Sequence, residues 1–222
     1  MKQGMLSSIA TGILTVCAIV VTGVLVHREF FAASPTSSPA TKHISTWREI
    51  AAEGQSVGSD SAPVVITEFS DFQCVWCQRL AGRIDSVVAS QPTRIRVVFR
   101  HYPSEAHASA RAAALASECA GYQQRFWPYY ELLFSVQDSI GKIPWTVLAA
   151  RSGVRDTVGF SRCFRDSVVL GHIKRDVDVG NTLGVAGTPG LLVNGEFMVG
   201  TPSRERLQDL VDKALKDAAH HK

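Results

Sequence analysis

Hydrophobic and polar positions divide the chain into an apolar front, a polar spacer and a long mixed segment in which two periodicities alternate. Residues 5–26 carry no charge. As a helix they would be about 33 Å long, which matches a hydrocarbon core of roughly 30 Å, so one N-terminal transmembrane helix is expected. Residues 32–46 are rich in Ser, Thr, Ala and Pro and have no periodicity, which reads as a flexible tether. The folded domain is then expected over 47–222. It opens with a short helix at 47–53 and a turn at Gly58-Ser59-Asp60. The β-branched and aromatic run 64–69 reads as a strand, and Leu80, Ile84, Val87 and Val88 then recur at helical spacing. Gln91-Pro92-Thr93 breaks that helix, and 94–100 is a second strand. From there to Leu183 the period is helical, over 107–124, 126–134, 144–151 and 160–183. Leu191-Leu192-Val193, the hairpin turn Asn194-Gly195 and the return 196–199 follow, and Ser203 caps a last helix carrying Leu207, Leu210, Val211 and Leu215. The expected class is α/β, with a helical insertion at about 104–183.

Composition narrows the setting. At 222 residues and 45% hydrophobic content the chain can bury one well-packed domain plus an appendage. A net charge of +3, with no dense basic block, excludes nucleic acid as a partner. The apolar front is longer than the apolar region of a cleaved signal peptide, and cleavage after Ala33 would put Phe31 where a small side chain is wanted. An uncleaved anchor is therefore expected, with a cytoplasmic tail and anchor over 1–31. Lys2 before the segment and Arg28 after it balance, so orientation rests on the four-residue tail, which places the large domain on the extracytoplasmic side. Cys17 is expected to be a filler of that helix.

The candidate chemistry lies in 66–77, ITEFSDFQCVWC, where a strand hands over to a helix at Cys74. Unpaired N–H groups and the positive end of the helix dipole there favour a thiolate. A structural zinc site would need two more ligands, and Cys119 and Cys163 have no suitably spaced histidine. No metal and no cofactor are expected. A static bridge between Cys74 and Cys77 would close too short a loop to stabilise much. The pair therefore reads as redox-active. His101, His107, His172 and the tail pair His220-His221 share no spacing, so surface positions are the expectation, with His101 the one nearest the cysteine face.

The run Glu68-Phe69-x-Asp71-Phe72-x-Cys74-x-x-Cys77, the helical insertion and Gly187-Thr188-Pro189 before a strand hairpin resemble the DsbA-type thioredoxin-like disulfide oxidoreductases. The resemblance runs from Gly58 to Ala218. It implies a thioredoxin-like fold, Cys74 as the nucleophile and Cys77 as the resolving thiol. It implies that Glu68 is a buried carboxylate exchanging a proton with Cys77; a solvent-facing strand residue is the alternative, and strand alternation does not choose between them. Pro189 would be the family's cis-proline and Thr188 would meet the sulfur of Cys74, where an ordinary turn proline is the alternative. Val75 and Trp76 would face substrate. The strongly oxidising members carry a histidine where Trp76 stands, so a less acidic Cys74 and a less oxidising pair are expected. Cys119 and Cys163 are expected to form a structural disulfide, with a second redox pair as the other reading.

The resemblance further implies exchange with extracytoplasmic protein thiols or disulfides, and reoxidation by a quinone-linked membrane partner; a monomer is expected. Oxidase is the favoured direction and a tethered reductase the alternative. An isomerase would need a dimerisation domain for which 28–64 is too short. A chaperone or binding module, from a different class, would keep its client binding after thiol substitution.

Overall fold

The computed structural model describes residues 20–23 and 41–220. The expected anchor over 5–26 and the tether over 32–40 fall almost wholly outside the described residues. Among the described residues no helix is long and apolar enough to cross a membrane.

Six strands form one sheet: β1 (Lys42–His43), β2 (Gln55–Val57), β3 (Val64–Ser70), β4 (Ile95–His101), β5 (Gly190–Val193) and β6 (Glu196–Val199), in the order β1-β6-β5-β3-β4-β2. β3 and β4 are parallel and every other pair is antiparallel. Helices α1 (Trp47–Ala52), α2 (Val75–Ser90) and α8 (Arg204–His220) belong to the sheet layer; α3 (Ala110–Gly121), α4 (Phe126–Ser135), α5 (Trp145–Arg151), α6 (Thr157–Asp166) and α7 (Leu170–Leu183) make the insertion between β4 and β5.

Helices cover both faces of β3. Val64 and Ile66 pack with Leu80 and Ile84 of α2 and with Leu207, Leu210 and Val211 of α8. Phe69, of opposite parity, packs with Ile44, Ile50, Leu183 and Val185 on the other face. A central strand covered on both sides is apolar almost throughout, and alternation along it carries no inside–outside information. The hairpin at Asn194-Gly195 has both residues at positive φ, as a two-residue turn of this kind requires. Asn194 also accepts from the Val65 N–H at 2.7 Å and donates to the Pro63 carbonyl at 2.8 Å, locking the turn to β3.

Three expectations change. Part of the segment expected as tether over 32–46 belongs to the folded domain: Lys42 and His43 pair with Phe197 and Glu196, and Ile44 is buried. The helix expected over 160–183 is two, because Ser167 adopts a left-handed conformation (φ 51°) that closes α6, and α7 starts afresh at Leu170. β2, absent from the expected elements, pairs with the free edge of β4. On the insertion side, the buried Arg100 guanidinium pairs with Asp176 of α7 at 2.6 Å and donates to the Ile50 carbonyl at 2.7 Å. The other Asp176 oxygen accepts from the His101 N–H at 2.9 Å, pinning the insertion to the end of β4.

Candidate active site

Cys74 is the N-cap of α2, so its sulfur sits where helix N–H groups have no intrahelical acceptor. The turn that presents it is organised by Asp71. The Asp71 carbonyl accepts from the Cys74 N–H at 3.0 Å. Its buried carboxylate accepts from the N–H groups of Gln73 (2.8 Å) and Ser104 (2.9 Å) and lies 2.7 Å from His107 Nδ1. Its own N–H points at Cys77 Sγ, 3.5 Å away. Gln137, just beyond α4, donates to the carbonyls of Phe72 (2.8 Å) and Cys74 (3.1 Å), so the insertion grips the turn from outside.

The two cysteines are free thiols in unequal surroundings. A hydrogen bond from the Cys77 thiol, with contributions from Thr188 and the N–H groups of Cys77 and Trp76, brings Cys74 down to about 5 from an ordinary value of 9. Cys77 is fully buried, and desolvation together with the neighbouring Cys74 charge pushes its thiol far up. One sulfur is thus held as a thiolate while the other stays protonated beneath it. The value for Cys74 lies between the roughly 3.5 of the strongest oxidant of this chemistry and the roughly 7 of a reducing thioredoxin. The missing histidine therefore leaves a markedly acidic thiol, because backbone and Cys77 donors supply the stabilisation.

Thr188 and Pro189 stand opposite. The Thr188–Pro189 peptide is cis, and the Thr188 carbonyl is 3.4 Å from Cys74 Sγ. Val75 and Trp76, the two residues after Cys74, are about half exposed, at 47% and 52%. The Arg79 guanidinium lies 4.5 Å from the Trp76 ring centroid, and the Thr201 hydroxyl holds the Trp76 carbonyl at 2.8 Å.

Glu68 is fully buried, which selects the buried-carboxylate alternative, and burial pushes its carboxyl up to about 7. Its Oε1 accepts from the Tyr130 hydroxyl at 2.9 Å. The Tyr130 ring packs with Phe72, Phe99 and Phe134 in an apolar cluster that also holds Cys74 and Cys77. The histidine expectation fails at His101, which is buried on the Glu118 carboxylate at 3.0 Å. His107, with its Asp71 partner, is half-buried.

Cys119 of α3 and Cys163 of α6 are joined in a disulfide inside the insertion. Among the described residues no group of three or more His, Cys, Asp or Glu side chains is arranged to hold a metal ion. Sequence reasoning missed Asp71, Tyr130 and Gln137 as parts of this site. Asp71 stands inside the quoted motif, where its carboxylate could have been read as an acceptor for the turn's N–H groups. Tyr130 and Gln137 reach the site only through tertiary packing.

A family model described as thioredoxin matches residues 51–213. Among solved structures, a thioredoxin-like oxidoreductase from Silicibacter pomeroyi DSS-3 is 25% identical, with a TM-score of 0.63 over 73% of this chain and 92% of that one. DsbA2 of Pseudomonas aeruginosa is also 25% identical, with a TM-score of 0.60 over 73% of this chain and 94% of that one. Oxidised BdbD of Bacillus subtilis, at 20% identity, shares the fold with a TM-score of 0.68 over 81% of this chain and all of that one. Among curated proteins, the Na(+)/H(+) antiporter NhaA 1 of Mycolicibacterium gilvum is 36% identical over 142 residues, which are 63% of this chain and 23% of that protein. The chain thus spans less than a quarter of the curated relatives it matches, and the transporter name belongs to those longer proteins. With the matching model, the cysteine pair at the N-terminus of α2 and the helical insertion in hand, the chain belongs to the thioredoxin family, and DsbA-type proteins are among its structural neighbours.

Proposed function

We propose that this thiol–disulfide oxidoreductase works as an oxidase on extracytoplasmic proteins. The observation that carries the reading is the asymmetry of the pair, an acidic Cys74 above a buried, protonated Cys77. A stabilised thiolate favours the reduced form of the pair, and a pair whose reduced form is favoured is an oxidant. A substrate thiolate attacks Cys74 Sγ, the Cys74–Cys77 bond breaks, and Cys77 leaves with the electron pair and takes a proton from Glu68. A second substrate thiolate then attacks the substrate sulfur of the mixed disulfide and releases Cys74 as a thiolate. Two substrate thiols have become a disulfide and the pair has gained two electrons.

Thr188 and Pro189 align the substrate chain, and Val75 and Trp76 offer it an apolar surface. A quinone-linked membrane partner restores the Cys74–Cys77 disulfide. A single-pass anchor over 5–26 with the N-terminus inside holds the domain on the extracytoplasmic side; the Cys119–Cys163 bridge supports this, since such bonds persist in oxidising compartments. Equilibration of the pair against glutathione tests the direction. A potential near about −120 mV agrees with oxidase, and one near about −270 mV would move the protein to the reductase reading.

A further inference from the structure

Tyr130 stands on α4, and its ring is packed among Phe72, Phe99, Phe126 and Phe134 at centroid distances of 6.0, 5.4, 6.4 and 4.9 Å. Its hydroxyl is the hydrogen-bond partner of Glu68 Oε1, while Glu68 Oε2 is buried with no partner in the protein. The strand itself also brings Ser70 to Glu68. The Ser70 hydroxyl makes no geometrically sound hydrogen bond, yet it favours the charged form of both Glu68 and Cys77. From α2 comes Asp85, which raises Glu68, and from α4 comes Tyr130, which the Cys77 charge also reaches; the strand neighbours of Glu68, Phe99 on β4 and Leu191 on β5, bring no charge. Asp85 is in turn faced by Glu131.

We propose that Tyr130, delivered by the helical insertion, is a positioning residue for the proton exchange between Glu68 and Cys77. Its hydroxyl fixes Oε1, and Oε2 is left as the oxygen that gives the proton to Cys77 and takes it back. This rests on the reading of Glu68 as the proton partner. When Cys77 leaves as a thiolate and takes the proton, the buried carboxylate that remains is stabilised by the Tyr130 O–H, which burial and the Glu68 charge keep protonated. In the reverse step Cys77 returns its proton to Oε2 as it attacks the mixed disulfide on Cys74. The insertion thereby sets the pH at which Glu68 changes charge.

The test is the rate at which Cys77 displaces glutathione from Cys74 after the reduced full chain is mixed with oxidised glutathione, followed by stopped flow across pH. In the wild type this intramolecular step should rise through a midpoint near about 7, where Glu68 becomes a base. In Tyr130→Phe, which keeps the ring, the midpoint should move up by about one pH unit, the size of one hydrogen bond to a charged group. In a Glu68→Gln background the same substitution should change nothing further. Placing 3-fluorotyrosine at position 130, a stronger donor, should move the midpoint down, and it supplies the test should the phenylalanine variant not fold. An unmoved midpoint, or a rate lowered equally at every pH, overturns the role of Tyr130 while leaving Glu68 in place. If Glu68→Gln retains the wild-type midpoint, the Glu68 reading itself falls.

Discussion

The protein holds two cysteine pairs, and they differ in everything except the element. Cys74 and Cys77 are two residues apart in sequence, at a helix N-terminus, with one sulfur beside an exposed aromatic surface and the other buried. Cys119 and Cys163 are 44 apart, join α3 to α6, and lie among Ala113, Ala116, Ala120, Phe160 and Phe164. Unpaired N–H donors and a neighbouring thiol lower the cost of a thiolate at the first pair, while the second is closed as a disulfide and does not titrate. Reactivity is thus a property of the place the fold gives a sulfur. The second pair does its work in the unfolded chain, where it removes loop entropy from the competing ensemble.

Substitution breaks this contrast most sharply. Cys74→Ser should reduce oxidation of a reduced model protein to background, whereas Cys77→Ser should leave a competent nucleophile that accumulates mixed disulfides visible on non-reducing gels. Retained oxidation in Cys74→Ser would remove the proposed function. The paired substitution Cys119→Ala with Cys163→Ala should instead cost about 4 kcal/mol of stability, the chain-entropy figure for a loop of about 45 residues. Urea unfolding measures that loss, and exchange per folded molecule should be unchanged. A loss of exchange without a loss of stability would mark the second pair as an electron relay.

What the sequence discloses follows the range of the interactions involved. The strand-to-helix handover at Cys74, the Asn194-Gly195 hairpin and the Ser203 cap, whose hydroxyl accepts from the Arg206 N–H at 3.2 Å, are decided within a few residues and are legible there. β1 and β2, of two and three residues, exist only because β6 and β4 offer them free edges, so no local pattern announces them. Glu68 looked ambiguous because both faces of β3 are covered, which makes a polar residue buried on either parity. His101 follows the strand expected over 94–100 and is in fact the last residue of β4, where α3 brings Glu118 over it. Tyr130 was visible as part of an amphipathic aromatic segment, and only the packing of α4 onto β3 discloses which carboxylate its hydroxyl meets.

Acidity sharpens the comparison further. The Cys74 thiolate is favoured in the folded, reduced protein, so its folded pKa is depressed. Its contribution to stability is present above the ordinary thiol value of 9 and is lost as pH falls through about 5. In the oxidised protein Cys74 does not titrate and this contribution is absent. The excess stability of reduced over oxidised protein should therefore shrink steadily as pH is lowered from 9 to 5. Thermal unfolding of both forms across that window checks it, and a constant or widening difference would contradict the assignment of the thiolate to Cys74.

The smallest expected effect separates two ways in which the insertion could act on the redox turn. Gln137 reaches the carbonyls of Phe72 and Cys74 but neither sulfur, so its influence should be mechanical. Gln137→Ala removes two donors from partly buried carbonyls and should lower stability by about 1 kcal/mol, the net value of a hydrogen bond or so. The Cys74 midpoint should stay where it is, since the groups that stabilise the thiolate are Cys77, Thr188 and the first N–H groups of α2. Urea unfolding and an ultraviolet titration of the thiolate measure the two quantities on the same variant. A midpoint that moved by more than about half a pH unit would mean that the insertion helps to set the charge on Cys74 through the backbone of the turn, and would erase the division of labour between a sheet layer that makes the thiolate and an insertion that holds it in place.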